Sequence, residues 1–248
     1  MQRYFIELKY NGSDFFGWQK QPNQISVQET IESALSKLFN KEINVVGCGR
    51  TDTGVHAHKY ILHLELPNSY DSEILLYKLN KITPFSVSFT SIRKVSNDLH
   101  ARFSAKTRTY RYFIHQHKDP FLAQTSLYFP TELDIQAMNQ ASNYFMGEQD
   151  FTSLSKLHTD VKTNICNVTQ AEWKQIDNGK LYFEITANRF LRNMVRATVG
   201  TLLEVGKHKI KSESILEILS AKNRNAAKKS VAAHGLFLWD ITYDNYES

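Results

Sequence analysis

The sequence predicts an α+β fold built on a mainly antiparallel β-sheet, and three observations lead to this class. The order strand, helix, strand, strand is found twice along the chain. Many connections between the strands are compatible with hairpins, as in antiparallel sheets. The 248 residues are 42% apolar and 12% aromatic, which is enough to bury a substantial core. We therefore expect one large domain or two packed halves.

Side-chain periodicity identifies the elements of the first half in turn. Residues 3–10 alternate between apolar and charged side chains, which predicts a half-buried strand. Ser26 and Glu29 fit a capping box, and the apolar spacing after them predicts a helix to about Phe39. Further strands are predicted near 43–46, 60–66 and 87–95, with a second helix near 72–80.

The second half repeats this order of elements. Residues 96–106 are polar and aperiodic, so a first half of residues 1–105 is separated there from a second half of residues 106–248. Gly147 is expected to end a helix, because glycine is a common C-terminal stop. Helices are predicted near 134–146, near 191–205 and from Ser212, and strands near 108–115, 165–174, 180–187 and 235–243.

The net charge, the apolar runs and the cysteine count indicate where the protein is located and what kind of partner it can bind. The net charge of +5 and the isoelectric point of about 9.0 are compatible with a polyanionic partner. No apolar run approaches the roughly 20 residues that cross a bilayer, and the N-terminus has no separate apolar signal region. A cytoplasmic protein without a membrane segment is expected. Cys48 and Cys166 are too few for a disulfide framework and are expected to be reduced, buried thiols.

One carboxylate, Asp52, lies between two glycines in the segment GRTDTGVH at 49–56. Glycine lets the backbone approach a ligand closely, and the guanidinium of Arg50 can bind phosphate or stack on a base. The residue types alone favour an ordinary turn, because Asp and Gly are common in turns for local reasons.

A metal site is a weaker alternative for the same loop. Cys48, Asp52, His56 and His58 are ligand types that zinc accepts. Their spacing fits no closed site, and the flanking glycines suit a substrate loop better. No metal is expected, and His56 is expected to be structural.

Segments along nearly the whole chain resemble the TruA family of tRNA pseudouridine synthases. The segment GRTDTGVHA at 49–57 resembles the catalytic signature of that family, and YNG at 10–12 with FGWQ at 16–19 resembles its opening. The remaining matches, in the expected order, are VQ at 27–28, AL at 34–35, HARFSA at 100–105, RTYRY at 108–112, GEQDFTS at 147–153, FLRNMVR at 190–196, VG at 199–200 and AHGL at 233–236. The segment LSKLHTD at 154–160 departs from the family pattern, so no substrate contact is predicted for it.

The resemblance implies a fold, a reaction and partners. The two halves are expected to share a continuous sheet, with helices packed on it and the active cleft between the halves. The reaction is a cofactor-free isomerisation of uridine to pseudouridine in the tRNA anticodon arm, at positions 38, 39 and 40. The resemblance also implies a homodimer, and two protomers would supply the extended basic surface that one mildly basic chain lacks.

The same resemblance assigns four site residues. Asp52 is the essential catalytic carboxylate and must be ionised, which a nearby cation favours; that cation is Arg196. Tyr110 packs against the target uracil, and Arg50 takes up the space left when the uridine leaves the stack. Asp52 can attack the base, attack the sugar or trigger elimination through a glycal, and the sequence does not choose among these.

Two other functions stay open at this stage. The chain could be an RNA-binding module that kept the fold, although binding alone would not need Asp52, Tyr110 and Arg196 together. It could also be a nucleosidase-like hydrolase that releases free uracil. Basic side chains that either contact tRNA phosphates or are simply solvated are Lys20, Lys106, Arg108, Arg111, Lys156, Lys162 and Arg192, with the run at 222–229.

Overall fold

A computed structural model describes residues 1–66, 70–156, 162–177, 179–244 and 246. The chain divides into two compact units, Met1–Lys106 with Phe237–Ser248 (unit 1) and Thr107–Leu236 (unit 2). No helix in the described ranges is long and apolar enough to cross a membrane.

The predicted helices and strands follow each other in the predicted order, apart from the strand expected at 43–46. The structure adds short strands at 127–128 and 147–150 that the periodicity did not predict. In the described residues the strands are β1 (Gln2–Tyr10), β2 (Val46–Gly47), β3 (His56–Leu66), β4 (Val87–Val95), β5 (Ala105–His115), β6 (Leu127–Tyr128), β7 (Gly147–Asp150), β8 (Ile165–Asp177), β9 (Lys180–Ala187) and β10 (Leu236–Tyr243). The α-helices are α1 (Val27–Phe39), α2 (Ser72–Ile82), α3 (Ile135–Asn143), α4 (Met194–Gly206) and α5 (Ser214–Ser220).

The sheet of unit 1 has the strand order β4-β1-β3-β10, with β2 paired to β3. Strand β1 is antiparallel to both of its neighbours, β3 and β4. Strand β10 is parallel to β3, with Phe237 opposite His56. This pairing places the last strand in unit 1, whereas the sequence grouped it with the second half. The pairing joins residues 181 positions apart in the chain, 56 and 237, so local periodicity cannot reveal it.

Strand β1 is buried on the predicted face and also, at Phe5, on the opposite one. Tyr4, Ile6, Leu8 and Tyr10 are buried as the alternation predicts, but Phe5 is also fully buried. Its ring is covered by Tyr243, 5.3 Å away between ring centroids. The C-terminal strand therefore covers a face of β1 that the sequence left to solvent.

The first helix begins and ends at the predicted residues. The Ser26 hydroxyl accepts a hydrogen bond from the backbone N–H of Glu29 (3.2 Å), and Asn40 ends the helix in the left-handed conformation, as C-terminal caps often do. Ile31 and Leu35 of this helix are fully buried.

The strand predicted at 43–46 is wrong, because side chains of α1 take up its backbone donors. The N–H of Ile43 donates to the Ser36 hydroxyl (3.0 Å) and that of Val45 to the Glu32 carboxylate (3.0 Å). Only Val46–Gly47 pairs with β3 as β2.

The sheet of unit 2 has the order β5-β9-β8-β7 with antiparallel pairs, and β6 lies parallel to β5. Helix α3 ends at Asn143, earlier than predicted, and Gly147 with its φ of 86° opens β7 instead of ending the helix. Helix α4 begins at Met194 rather than at 191, because Asn193 before it has a left-handed φ of 66°. The predicted α+β class with mainly antiparallel pairing is confirmed.

Candidate active site

The Asp52 loop connects β2 to β3 in unit 1. The backbone carbonyl of Asp52 accepts from the N–H of Val55 (3.1 Å), which closes a turn over Thr53 and Gly54. Gly54 has a φ of 77°, a conformation that glycine adopts without steric cost. The Asp52 side chain is half-buried and Arg50 is exposed.

Hydrogen bonds from the segment after β1 fix both sides of this loop. The N–H of Trp18 donates to the carbonyl of Thr51 (3.2 Å), and the N–H of Gly54 donates to that of Phe15 (3.4 Å). The Tyr10 hydroxyl bonds the Thr51 hydroxyl (2.9 Å). The position of Asp52 is thus set by backbone contacts from a segment about 35 to 40 residues earlier in the chain.

Two glycines allow this close approach. Gly17 has a φ of 88°, and a Cβ there would lie 2.6 Å from the carbonyl oxygen of Thr51. A Cβ on Gly12 would overlap the carbonyl of Val55. The YNG and FGWQ segments therefore have a local physical role, which is to form the support on which the Asp52 loop rests.

Aromatic side chains support the start of the loop. Trp18 stacks on Tyr60 with 4.0 Å between ring centroids, and both rings are buried. The Tyr60 hydroxyl donates to the carbonyl of Gly49 (2.5 Å). The backbone of Cys48 pairs with Ile61 (2.9 Å). Both ends of the loop are therefore anchored in the core of unit 1.

The side chains of the alternative metal site are used for other contacts. His56 is buried, and its Nδ1 accepts from the N–H of Gly12 (3.0 Å). His58 stacks on Trp239 at 4.0 Å. Cys48 is a buried free thiol, as is Cys166, which confirms the expectation for both cysteines. Across the described ranges, no group of three His, Cys, Asp or Glu side chains could hold a metal ion.

Tyr110 lies on β5 in unit 2, opposite Ile185 of β9. Its half-buried ring meets Phe190 edge to face, with 5.0 Å between centroids and an angle of 83° between the planes. Phe190 belongs to the segment that leads into α4, so Tyr110 contacts the chain just before the helix that carries Arg196. No role was predicted for Phe190 from the sequence, although it lies in the family-like segment FLRNMVR.

Arg196 lies on the first turn of α4, in which Val195, Val199 and Leu202 are buried. Its guanidinium Nε donates to the carbonyl of Val231 (2.8 Å). The N–H of Val231 donates in return to the carbonyl of Arg196 (3.2 Å). A backbone carbonyl therefore holds one edge of the guanidinium. This acceptor could not be predicted from the sequence, because no side-chain motif identifies a backbone carbonyl as a partner.

Tyr112 is a third residue, after Phe190 and Val231, to which the sequence assigned no role. Burial raises the pKa of Tyr112 above its ordinary value. The positive charge of Arg196 has a smaller, opposite effect. The hydroxyl therefore stays protonated and donates to the carbonyl of Ala232 (2.9 Å). The alternation in RTYRY, which puts Tyr110 and Tyr112 on one face, was the available signal.

The four predicted site residues are divided between the units. Asp52 and Arg50 share one loop of unit 1, and Tyr110 and Arg196 belong to unit 2. Several basic side chains considered for phosphate binding make internal ion pairs, namely Lys20 with Glu32, Lys106 with Asp244 and Arg111 with Glu184. Lys156 and Lys162 are exposed.

A family model described as tRNA pseudouridine synthase matches residues 8–104 and 141–244. A protein of Parabacteroides distasonis named tRNA pseudouridine synthase A is 47% identical, with 98% of this chain and 96% of that protein covered. Proteins of the same name are 46% identical in Bacteroides fragilis, covering 98% of this chain and 97% of that protein, and 45% identical in Porphyromonas gingivalis, covering 98% of both.

Proposed function

The chain belongs to the tRNA pseudouridine synthase family, and on that premise we propose that it isomerises uridine to pseudouridine in the tRNA anticodon arm, at positions 38, 39 and 40. Asp52 is the essential catalytic carboxylate of this proposal. The active form is a cytoplasmic homodimer, and the reaction needs no cofactor.

The observation that carries the proposal is the way in which the Asp52 turn is supported. Backbone bonds from Trp18 and to Phe15 hold the turn, and Asp52 is half-buried rather than enclosed in the core. Placement of a reacting group before the substrate arrives lowers the entropic cost of the reaction. Such support is expected for a catalytic group and is unnecessary for an ordinary surface turn.

The proposed reaction conserves every atom of the nucleoside except one exchangeable proton. The bond between uracil N1 and ribose C1′ breaks, the base turns, and a bond forms between C5 and C1′. The C5 proton leaves to solvent, and N1 takes up a proton from solvent in its place. Asp52 serves as nucleophile towards base or sugar, or as the base that starts elimination through a glycal. All three routes require an ionised carboxylate.

The other site residues have supporting roles in this proposal. Arg196 provides the positive charge that keeps Asp52 ionised. Tyr110, held edge to face by Phe190, packs against the target uracil as aromatic rings do in RNA-binding proteins. Arg50, exposed on the loop, takes up the space that the uridine leaves in the RNA stack.

One assay tests the proposed activity against the two other functions. The protein is incubated with tRNA that carries tritium at uracil C5, and tritium release and free uracil are measured. We expect complete release of tritium from the target positions without loss of base. Binding without release would overturn the enzymatic proposal, and free uracil would indicate a hydrolase.

The positions are tested separately. Carbodiimide treatment of the product tRNA followed by primer extension maps pseudouridine, and we expect stops at positions 38, 39 and 40. Modification confined to another arm of the tRNA would contradict the proposed specificity while leaving the isomerase proposal intact.

A further inference from the structure

A segment of unit 2, residues 227–232, runs along α4 from Asn193 to Thr201 and is called the strap here. The N–H of Lys228 donates to the Thr201 hydroxyl (3.3 Å). A Cβ on Gly200 would overlap the carbonyl of Lys229, so this helix position must be glycine for the strap to lie so close. The strap also provides the carbonyl of Val231 that accepts from Arg196.

The hydroxyl of Ser230 is the junction that holds the strap one residue before Val231. It accepts from the side-chain amide of Asn193 (2.7 Å) and from the guanidinium of Arg224 (3.0 Å). A serine oxygen has two lone pairs, so it can accept both donors at once.

Both donors to Ser230 are themselves fixed. Arg224 also donates to the carbonyl of Lys228, through Nη1 and Nη2 at 3.2 Å each. Asn193 precedes α4 in the left-handed conformation and makes no side-chain capping bond, although asparagine is a favoured N-cap. Its amide binds Ser230 instead, which ties the strap to the start of the helix.

These contacts converge on one carbonyl. Ser230 is anchored on one side of Val231, and the Tyr112 hydroxyl holds the carbonyl of Ala232 on the other side (2.9 Å). An arginine side chain carries about 2 kcal/mol of rotamer entropy, so a fixed acceptor for Nε restricts the plane of the guanidinium before substrate binds. The orientation of Arg196 therefore depends on the position of the strap.

We propose that Ser230, together with Arg224 and Asn193, is a positioning residue for the reaction: it fixes the Val231 carbonyl and thereby orients the guanidinium of Arg196. This inference rests on the proposed catalytic role of Arg196. It gives Arg224 a role within the protein, although its place in the basic run at 222–229 had suggested phosphate binding.

The test compares Ser230→Ala with Ser230→Thr under single-turnover conditions. Loss of the hydroxyl should lower the rate constant of tritium release by about 10- to 100-fold, the range typical for groups that orient reacting residues. The Kd for tRNA should stay within about twofold of wild type. Ser230→Thr, which keeps the hydroxyl, should restore most of the rate. A weakened Kd with an unchanged rate constant would overturn the inference, because the hydroxyl would then serve RNA binding.

A double-mutant cycle shows whether Ser230 acts through Arg196. In an Arg196→Ala background, Ser230→Ala should cause little further loss, since the group that it orients is gone. Additive losses would contradict the inference. Arg224→Gln should behave like Ser230→Ala and serves as the second variant if the alanine variant melts at a lower temperature. Lys209→Gln removes one positive charge from an exposed position of the same unit and is the matched control. Its rate constant should equal that of wild type.

The cycle separates this inference from the proposed function. If wild-type protein releases no tritium, the proposed function fails. If wild type is active but Ser230→Ala and Arg224→Gln keep the wild-type rate, only the positioning role fails.

Discussion

Gly17 and Gly49 differ sharply in how they contribute to the Asp52 loop. Gly17 has a positive φ and lies against the carbonyl of Thr51, whereas a Cβ on Gly49 would meet nothing within 4 Å. The local sequence presents both as flexible loop glycines. Only the packing shows that one of them is required by geometry.

Gly17→Ala should therefore destabilise the protein and slow the reaction. The positive φ and the close Thr51 carbonyl cost about 1–3 kcal/mol of unfolding free energy when a Cβ is added. Denaturant unfolding and single-turnover tritium release measure the two effects. Gly49→Ala is the matched control and should unfold at the wild-type denaturant concentration. Equal stability of the two variants would show that the Gly17 contact is unimportant.

Tyr110 offers a second prediction at the residue scale. If the ring stacks on uracil, Tyr110→Phe keeps the stack and the contact with Phe190, and kcat/KM should stay near wild type. Tyr110→Leu should lose about 1–3 kcal/mol of stacking, or roughly 5- to 150-fold in kcat/KM. Tyr77→Leu removes an exposed tyrosine from α2 and should have no effect. A phenylalanine variant as slow as the leucine variant would assign chemistry to the hydroxyl.

At the scale of elements, the errors of the sequence predictions share one physical cause. The periodic pattern places most helices and strands but does not reveal which partner takes up a backbone donor. Residues 43 and 45 have the side-chain pattern of a strand, but their N–H groups donate to Ser36 and Glu32 of α1 instead of to a neighbouring strand. The start of α4 is shifted because Asn193 is left-handed and uses its side chain on Ser230.

A histidine of strand β3 also binds the segment that follows β4. His63 is buried, and its Nδ1 accepts from the N–H of Ala101 (3.1 Å). Burial, followed by the positive charges of Arg3 and His100, lowers the pKa of His63 to about 4. The neutral ring is needed for this bond, because a protonated imidazole cannot accept.

The free energy of unfolding should fall as the pH falls from about 6.5 to about 4. In this window the unfolded chain binds a proton at residue 63 that folded His63 excludes, so acid favours unfolding. The full effect of this group is about 3 kcal/mol. His63→Gln keeps an acceptor but does not titrate, and its unfolding free energy should depend less on pH. An identical pH dependence in wild type and variant, measured by urea unfolding, would contradict this assignment.

At the scale of the whole molecule, the sequence was sufficient for the fold class, the order of elements and the family. These follow from alternation, helical spacing and motifs spread over nearly the full length. The membership of β10 in unit 1 depends on its parallel pairing with β3, a long-range contact without a local signature. The contacts that support the candidate site cannot be predicted from local sequence either, because Thr51, Phe15 and Val231 act through backbone atoms.

The most direct test of the account compares wild type with Asp52→Asn on tRNA tritiated at uracil C5. The amide keeps the size of the side chain but removes its charge, so tritium release should be abolished while the Kd for tRNA stays nearly unchanged. Asp98→Asn, the same change at an exposed position of unit 1, should release tritium at the wild-type rate. Substantial turnover by Asp52→Asn would contradict the catalytic role of this carboxylate.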